Sequence, residues 1–263
     1  MFLKKLKNKR MNNPSEKTLI FMAKYADKYR VKEIVQNRCP DLKIAKVLGT
    51  YSKFEDINVK QLPQKFVIKV NHWSGDATVI TSHEEFLNKY DELAKYFNNI
   101  LTKKFTRAGE KHYSLIKPVL FIEEYLSKNI KEVKLHVMWG IPIFIDYIEY
   151  KRNLFKCYDM NWNELNFHNI HANGKNKTSI DISTRHQVQS FELFNYCRNL
   201  CEDIDYVRLD LYLTEDNSVY FGEYTFTPTA LNKYYTSDKI YDIMYTMYKT
   251  KNIDLSKIDE LIK

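Results

Sequence analysis

The chain has 263 residues, 44% of them hydrophobic and 14% aromatic, which is enough apolar side chain for a sizeable core and excludes general disorder. Its six glycines and six prolines exclude collagen-like and linker-rich architectures. The 41 basic residues outnumber the 33 acidic ones, for a net charge of +8. This surplus favours anionic partners such as nucleotides, nucleic acid, acidic polymers or a membrane surface, without choosing among them.

The first half of the chain is predicted to contain helices around one short strand. Apolar residues at helical spacing over residues 15–38 predict two helices that meet near Ala26. Residues 66–70 are an apolar run interrupted by Lys69, and they predict a buried strand that enters a polar, glycine-containing turn at 71–76. Residues 86–101 then carry the spacing of an amphipathic helix.

The second half is richer in predicted strands, over residues 119–126, 133–139 and 142–150, with Gly140 turning the second into the third. An Asn- and His-rich loop over 161–179 precedes a helix at 187–201, strands at 206–213 and 218–227, and a helix near 240–248. Helices and strands do not alternate regularly, so the sequence predicts an α+β fold rather than a doubly wound parallel sheet.

Cysteine content and hydropathy bear on the compartment. The four cysteines are too few for a disulfide framework and are interpreted as reduced thiols: Cys39, Cys157, Cys197 and Cys201. The longest apolar run, 138–145, is far shorter than the ~20 residues that span a bilayer. The basic start of the chain lacks the apolar stretch of a signal peptide. We therefore expect a cytoplasmic protein without a transmembrane segment, and a weak association of residues 1–10 with the inner membrane face stays open.

Lys69 is the first candidate functional residue. A lysine on a strand that leads directly into a glycine-containing polar turn suits a phosphate clamp. The alternative is that Lys69 occupies a solvent-facing position of the strand. The sequence contains no Walker-type loop and no Rossmann fingerprint, so neither of those nucleotide-binding motifs is predicted.

The most informative stretch is a predicted hairpin over residues 206–227, with Asp216-Asn217 as a two-residue turn. In that register Glu215 faces Ser218, Asp210 faces Glu223, and Arg208 faces Thr225. Strand alternation places Arg208, Asp210, Glu223 and Thr225 on one face. The other face is predicted to be apolar, with Val207, Leu209, Leu211 and Leu213 against Tyr220, Tyr224 and Phe226.

Two carboxylates directly opposite each other on a sheet repel, so a neighbouring positive charge must offset the cost. Asp210 and Glu223 offer hard oxygen donors of the kind that magnesium shares with substrate phosphates. The alternative is that these carboxylates pair with Arg or Lys side chains on a surface hairpin. Spacing alone leaves both interpretations open.

The order of several short motifs resembles the ATP-grasp superfamily, specifically the TupA-like ATP-grasp proteins, named for teichuronopeptide synthesis and found among cell-surface polysaccharide genes. The motifs cover roughly residues 20–235 and are, in order, "DKYRVKEIV", "LPQKFVIKVNHWSGD", "FIEEYL", "YDMNW" and "YVRLDLYLTEDNSVYFGEYTFTP". The resemblance implies two α+β lobes, with mainly antiparallel sheets, that clasp a nucleotide. It divides the chain into an N-terminal helical/α+β segment (1–60), a small lobe (61–125) and a large lobe with the metal-binding hairpin (126–263).

The resemblance also implies ATP and magnesium, with two ions, as cofactors, and it assigns roles to individual residues. Lys134 and Arg208 are implied to meet the transferred phosphate, and Asp210, Glu223 and Thr225 to hold magnesium. The ATP-binding residues that it implies are Lys28, Lys69, His72, Trp73, Ser74, Gly75, Glu123, Glu124, Tyr125, Leu126 and Glu132. Apart from the resemblance, loop-borne polar residues are candidates for the acceptor side or are simply solvated: Arg152, Asp159, Trp162, Arg185 and His186.

By resemblance, the expected activity is ATP-dependent carboxylate–amine ligation through an acyl phosphate. The expected substrates are a uronic acid of a surface polysaccharide or its sugar precursor and an amino acid or small aminoalcohol. A ligase that joins amino acids or peptides, or a kinase that needs no amine, are alternatives on the same fold. A nucleic-acid-binding module is the alternative outside enzymes, because 20 tyrosines and 15 phenylalanines could stack on single strands.

Overall fold

The structure is a computed structural model that describes residues 1–73, 75, 77–105, 109–170, 190–216 and 218–262. It divides into two compact units. The large unit comprises residues 1–13, 35–43 and 127–263, and the small unit comprises residues 14–34 and 44–126. Residues 1–60, which the sequence predicts as one segment, contribute to both units.

The predicted helices and strands are largely present, and the mixed, mainly antiparallel architecture confirms the predicted α+β class. The helices are α1 (Phe2–Lys7), α2 (Glu16–Ala26), α3 (Val31–Arg38), α4 (His83–Asn88), α5 (Tyr90–Leu101), α6 (Ser190–Cys201), α7 (Asp238–Thr250) and α8 (Ser256–Asp259). The strands are β1 (Lys43–Ile44), β2 (Val47–Tyr51), β3 (Phe66–Val70), β4 (Thr78–Ile80), β5 (Leu120–Glu124), β6 (Lys131–Met138), β7 (Ile141–Glu149), β8 (Leu154–Tyr158), β9 (Val207–Leu213) and β10 (Val219–Thr225).

The small unit is built on an antiparallel four-stranded sheet with the strand order β2-β5-β3-β4. Alternation along β3 places Phe66, Ile68 and Val70 on one face, where they join the buried cluster that includes Phe97 of α5. Lys69 therefore lies on the opposite face. On that same face, which is the side away from the α5 core, Phe121 is the cross-strand partner of Lys69.

The large unit is built on a sheet with the strand order β1-β10-β9-β6-β7-β8, in which Lys43 of β1 belongs to this unit. The pairs from β10 through to β8 are antiparallel. Leu209 and Leu211 of β9 are fully buried, as are Cys197 and Cys201 of α6. All four cysteines are free thiols in buried positions, as the sequence predicts.

Helix α1 changes the interpretation of the basic N-terminus. Phe2 and Leu6 are fully buried in the core of the large unit, and the ring of Phe2 lies 5.7 Å from that of Tyr248 on α7. The side of α1 that carries Phe2 and Leu6 is therefore committed to the core, while Leu3 is only partly buried. Across the described ranges, no helix has both the length and the apolar character that a bilayer span requires.

Candidate functional site

In the small unit, two lysines converge on one carboxylate. Lys69 Nζ on β3 lies 2.6 Å from Glu123 Oε2, and Lys32 Nζ on α3 lies 2.7 Å from Glu123 Oε1. Lys32 also donates to the carbonyl of Ala45 at 2.9 Å. The side chain of Glu123 is only 5% exposed, and those of Lys32 and Lys69 are 11% and 19% exposed. The cluster holds two cations and one anion that are largely shielded from solvent.

The electrostatics of this cluster favour an additional anion. Burial alone would raise the pKa of Glu123, but the charges of Lys69 and Lys32 outweigh it and hold that pKa below its usual range. Burial lowers the pKa of Lys32, and the carboxylate of Glu123 opposes that shift. With Glu123 ionised, the three side chains together carry one net positive charge. Sequence reasoning identified Lys69 but missed Lys32, although Lys32 lies within the quoted motif "DKYRVKEIV".

The segment after β3 packs into the small unit. Lys28 Nζ donates to the carbonyl of Trp73 at 2.7 Å. His72 is only 1% exposed, and burial lowers the pKa of its imidazole, which favours the neutral form. The ring of Trp73 meets Phe105 edge-on at 5.0 Å. Gly75 adopts the left-handed region at φ +77°, which a glycine accepts without strain, and Ser74 lies outside the described residues.

The last residue of β5, Glu124, contacts Lys46, which lines a groove. Glu124 Oε1 accepts from the backbone N–H of Lys46 at 2.7 Å, and its own N–H donates to the Lys46 carbonyl at 2.9 Å. Lys65 lies over the ring of Tyr125, 5.8 Å from its centroid. Leu126 is the last residue of the small unit. The groove has a volume of about 530 Å³ and is lined by Tyr29, Arg30, Lys32, Glu33, Ile44, Ala45, Lys46 and Val47.

In the large unit, charged side chains form a row across four strands. Asp210 on β9 lies opposite Glu223 on β10 and opposite Lys134 on β6. Lys134 in turn lies opposite Asp146 on β7. Cross-strand partners point to the same side of a sheet, so these four residues share one face, which we call the charged face.

The predicted hairpin register is correct at the candidate site and wrong near the turn. Asp210 pairs with Glu223 and Arg208 with Thr225, but Leu211 pairs with Phe221. The Thr214 N–H donates to the Ser218 carbonyl at 3.1 Å, so Ser218 pairs with Thr214 and not with the predicted Glu215. The shift in register occurs between Phe221 and Glu223, as a β-bulge at Gly222.

The bulge also corrects one predicted position on the apolar face. Phe221, opposite Leu211, is the buried aromatic residue at 3% exposure. Tyr220 lies opposite Tyr212, on the side of the charged face, and Lys43 approaches its ring at 5.8 Å. A Cβ atom at Gly222 would lie 2.7 Å from the Asp210 carbonyl oxygen, so glycine permits the close approach.

Asp210 has its own counter-charge. Arg208 Nε and Nη2 each donate to one Asp210 oxygen at 2.7 Å, and Lys134 Nζ lies 3.8 Å from Oδ2. Arg208 Nη2 also donates to Thr225 Oγ1 at 3.3 Å, and that hydroxyl donates to Glu223 Oε1 at 3.4 Å. Asp210 is therefore paired with Arg208 in this structure, at a buried position and not on a surface hairpin.

Lys134 joins the row to Glu132, whose Oε2 lies 2.6 Å from Lys134 Nζ. Burial lowers the pKa of Lys134, but the charge of Asp210 outweighs this and the pKa is raised. For Arg208, burial likewise lowers the pKa, and the charge of Asp210 reverses the shift so that the pKa is raised. Both side chains are therefore cationic, and both face the carboxylates of the hairpin.

A buried polar network that the sequence analysis missed borders the charged face. His136, the cross-strand partner of Arg208, has its Nδ1 2.9 Å from Tyr206 Oη and its Nε2 2.5 Å from Tyr235 Oη. Tyr235 donates to Asp146 Oδ2 at 3.2 Å. Burial, reinforced by the charge of Arg208, lowers the pKa of His136. Alternation from Lys134 places His136 on the same face, which is the sequence signal that could have revealed it.

The loop residues considered for the acceptor side have local roles. Asp159 is 3% exposed, and its Oδ1 accepts the backbone N–H groups of Asn161 and Asn163 at 2.8 and 2.7 Å. Trp162 is buried, and Arg152 Nη1 lies 3.5 Å from Glu149 Oε2. Asp159 is thus a turn-forming residue and not an exposed ligand. Arg185 and His186 lie outside the described residues.

The donor set on the hairpin fits magnesium, which binds through one or two carboxylates together with substrate phosphates. Asp210 and Glu223 are cross-strand neighbours, and the Thr225 hydroxyl contacts Glu223. Within the part of the chain that the structure describes, no group of three or more His, Cys, Asp or Glu side chains is arranged to hold a metal ion. A site here would therefore draw its remaining ligands from phosphate and water.

The TupA-like ATP-grasp family model matches residues 4–248. The chain belongs to this family. Among solved structures, an L-amino acid ligase from Bacillus licheniformis has a TM-score of 0.52 at 14% identity, over 81% of this chain and 45% of that one. A phosphoribosylamine–glycine ligase from Thermotoga maritima has a TM-score of 0.51 at 14% identity, over 90% of this chain and 57% of that one.

These structural likenesses show the ATP-grasp fold, and this TupA-like chain spans about half the length of each of the two ligases. A search of curated proteins gives no match.

Proposed function

We propose that this protein is an ATP-dependent carboxylate–amine ligase. The observation that carries the proposal is the charged face of the large unit, where Asp210 and Glu223 lie opposite each other beside Arg208 and Lys134. Carboxylates that can share a magnesium ion, next to two fixed cations, suit the stabilisation of a transferred phosphoryl group. Membership of the TupA-like ATP-grasp family supports the same chemistry.

The charged side chains divide the work of phosphoryl transfer. In the small unit, Lys69 and Lys32 bind ATP phosphates as a pair of point charges. In the large unit, Asp210 and Glu223 hold magnesium, with the Thr225 hydroxyl beside them. Magnesium, when bound, neutralises phosphate charge and polarises the γ-phosphoryl group.

The remaining proposed ATP contacts follow the family pattern. The backbone of residues 123–126, at the end of β5 and directly after it, reads the adenine, and Glu132 meets the ribose hydroxyls. Lys28 and the segment 72–75 lie near the phosphates. The packing of His72 into the small unit favours backbone groups of this segment over the imidazole as the contacting atoms.

Amide formation then takes two steps. An oxygen of the acceptor carboxylate attacks the γ-phosphorus, the bond to the β–γ bridging oxygen breaks, and ADP leaves. A neutral amine attacks the resulting acyl phosphate, inorganic phosphate leaves, and the amine loses a proton. Arg208 and Lys134 stabilise the charge that gathers on the phosphoryl and acyl oxygens in both steps.

For the acceptor we propose a uronic acid of a surface polysaccharide or its sugar precursor, and for the amine an amino acid or small aminoalcohol. The net charge of +8 supports an acidic substrate. Ligation of two amino acids is the second candidate, favoured by the likeness to an L-amino acid ligase. The nucleic-acid alternative loses support because Phe54, Phe86 and Phe97 are buried in a core, where they cannot stack on bases.

A substrate matrix tests the proposal. Purified protein is incubated with ATP and magnesium against uronic acids and amino acids, each crossed with a panel of amines, and amide products are identified by mass. We expect an amide of a uronic acid, with ADP release that requires the carboxylate and continues over many turnovers only when the amine is also present. An amide of two amino acids supports the second candidate, and phosphorylation of a substrate without any amide contradicts ligation. Lys69→Met, which removes a proposed phosphate contact at similar side-chain volume, controls for contaminating activity.

A further inference from the structure

The side chain of Glu123 has a geometry that the proposed phosphate contacts do not explain. Each of its two oxygens is engaged by a different lysine, at 2.7 Å for Lys32 and 2.6 Å for Lys69. The carboxylate therefore stands between two ammonium groups that come from different elements, α3 and β3. A nucleotide phosphate that meets both lysines finds them already brought together.

The backbone of Glu123 is well suited to this task. Strand β5 is an inner strand of its sheet, and Glu123 is paired with Val47 on β2 and with Val67 on β3. The Cα atom of Glu123 is therefore held by a strand on each side, whereas the ammonium group of each lysine is carried on a long side chain with several rotatable bonds. A fixed carboxylate removes the freedom of both lysines before any ligand arrives, which is the benefit of preorganisation.

We propose that Glu123 is a positioning residue that holds Lys32 and Lys69 together, both charged, as a ready-made anion site. This inference rests on the proposed function only in naming the ATP phosphates as the anion.

The second part of the proposed role of Glu123 is to keep Lys32 charged, because Lys32 is nearly buried. The charged groups around it are Glu123 and Glu124 on β5 and Lys69 on β3, and Lys32 Nζ donates a hydrogen bond to the Ala45 carbonyl. Arg30, Glu33 and Lys46 line the adjoining groove. Burial and the charge of Lys69 both favour the neutral form of Lys32, and the carboxylate of Glu123 is the largest influence that opposes them. Without its carboxylate, Lys32 should lose its proton at a lower pH.

The test compares Glu123→Gln with the wild type and with Glu92→Gln, which removes the same charge from an exposed position on α5. Competitive acetylation across pH 6–11, read at Lys32 and Lys69 by mass spectrometry, follows the protonation of each amine without nucleotide. Calorimetric titration with magnesium–ADP in buffers of different ionisation enthalpy, between pH 7 and 9, counts the protons taken up on binding.

In the wild type and in Glu92→Gln we expect no proton uptake and an affinity that is flat with pH. In Glu123→Gln we expect the labelling midpoint of Lys32 to move to lower pH. Above that midpoint binding should take up close to one proton, and affinity should fall by about tenfold per pH unit, as linkage requires. A merely structural Glu123 would change thermal stability but not the proton count.

The outcomes separate the two proposals. An unchanged labelling midpoint for Lys32 in Glu123→Gln overturns the positioning role, whether or not nucleotide binds. Proton uptake by the wild type also overturns it, because Lys32 would then not be held charged. A wild type that fails to bind magnesium–ADP, while the midpoint still shifts in the variant, counts against the proposed function and leaves the role of Glu123 intact.

Discussion

Asp210 and Glu223 face each other, yet their removal should have very different effects on the unliganded protein. Asp210 is 3% exposed, and it accepts two Arg208 hydrogen bonds of 2.7 Å. Asp210→Asn leaves Arg208, itself 8% exposed, without its counter-charge. Removing one partner of a buried ion pair costs about 3–5 kcal/mol, and the remaining amide oxygen places this variant near the lower value. Glu223→Gln, at a half-buried position where the side chain accepts from the Thr225 hydroxyl, should lower the free energy of unfolding by less, about 0.5–1.5 kcal/mol.

Urea unfolding at pH 7, with and without magnesium and a non-hydrolysable ATP analogue, measures both effects. Ligand at a hundredfold excess over its Kd should stabilise the wild type by about 2.7 kcal/mol, and both variants should lose most of that gain. Glu202→Gln, an exposed position in the same unit, should retain it. An unchanged stability of Asp210→Asn without ligand would refute the ion-pair argument. Full retention of the ligand-dependent gain in both variants would refute the metal assignment.

Three further predictions concern single contacts. Lys69→Met should weaken ATP binding by roughly tenfold to a hundredfold, since a hydrogen bond to a charged group contributes about 1.5–3 kcal/mol; an unchanged calorimetric Kd would contradict its phosphate role. Gly222→Ala should lower the free energy of unfolding by about 1–3 kcal/mol, because its Cβ would lie 2.7 Å from the Asp210 carbonyl oxygen; equal urea midpoints would contradict the bulge. Burial would raise the pKa of Asp205, but the charge of Arg10 outweighs burial and holds that pKa at about 2 in place of 3.8. The wild type should therefore be more stable than Asp205→Asn by about 2 kcal/mol, fully so above pH ~4, and this difference should disappear as pH falls through ~2. A difference that persists at that pH would contradict the ion pair.

Local sequence patterns predicted the elements well where one physical signal dominated. Strand β3 begins and ends at the predicted residues because an apolar run with a single lysine matches a half-covered strand. The two helices around Ala26 follow from their apolar spacing, and Asp27 separates them by accepting the N–H groups of Tyr29 and Arg30. Strand β8 was missed because Leu154–Tyr158 is a short apolar run that periodicity does not assign to either element type.

The hairpin shows where a local rule is incomplete. A two-residue Asp-Asn turn predicts one register along the whole hairpin. In the structure Ser218 pairs with Thr214, one residue from the predicted partner, and a bulge at Gly222 restores the predicted pairing of Asp210 with Glu223. The predicted pairing of Asp210 with Glu223 is therefore correct although the turn was wrong. A glycine within a strand often marks a bulge, so Gly222 could have predicted this one from the sequence.

The partners of the candidate residues required the three-dimensional fold. Lys32 and Lys69 are far apart in sequence, and their shared contact with Glu123 depends on the fold, which brings α3 and β3 to the same residue of β5. The pairing of Asp146 with Lys134 likewise depends on the order of β7 and β6 in the sheet. Residue type and spacing can nominate a lysine or a carboxylate, but its pKa and its counter-charge are properties of the packed neighbours.

The central claim is ATP-dependent activation of a carboxylate, and the fate of the ATP phosphates tests it most directly. Phosphorus NMR of a reaction that contains ATP, magnesium, the substrate carboxylate found in the matrix and hydroxylamine follows the nucleotide while the hydroxamate is measured by mass. We predict ADP and inorganic phosphate in step with one hydroxamate, dependence of both on the carboxylate, and loss of both in Glu223→Gln. Formation of AMP and pyrophosphate, or ADP release that does not depend on the carboxylate, would contradict the acyl-phosphate mechanism.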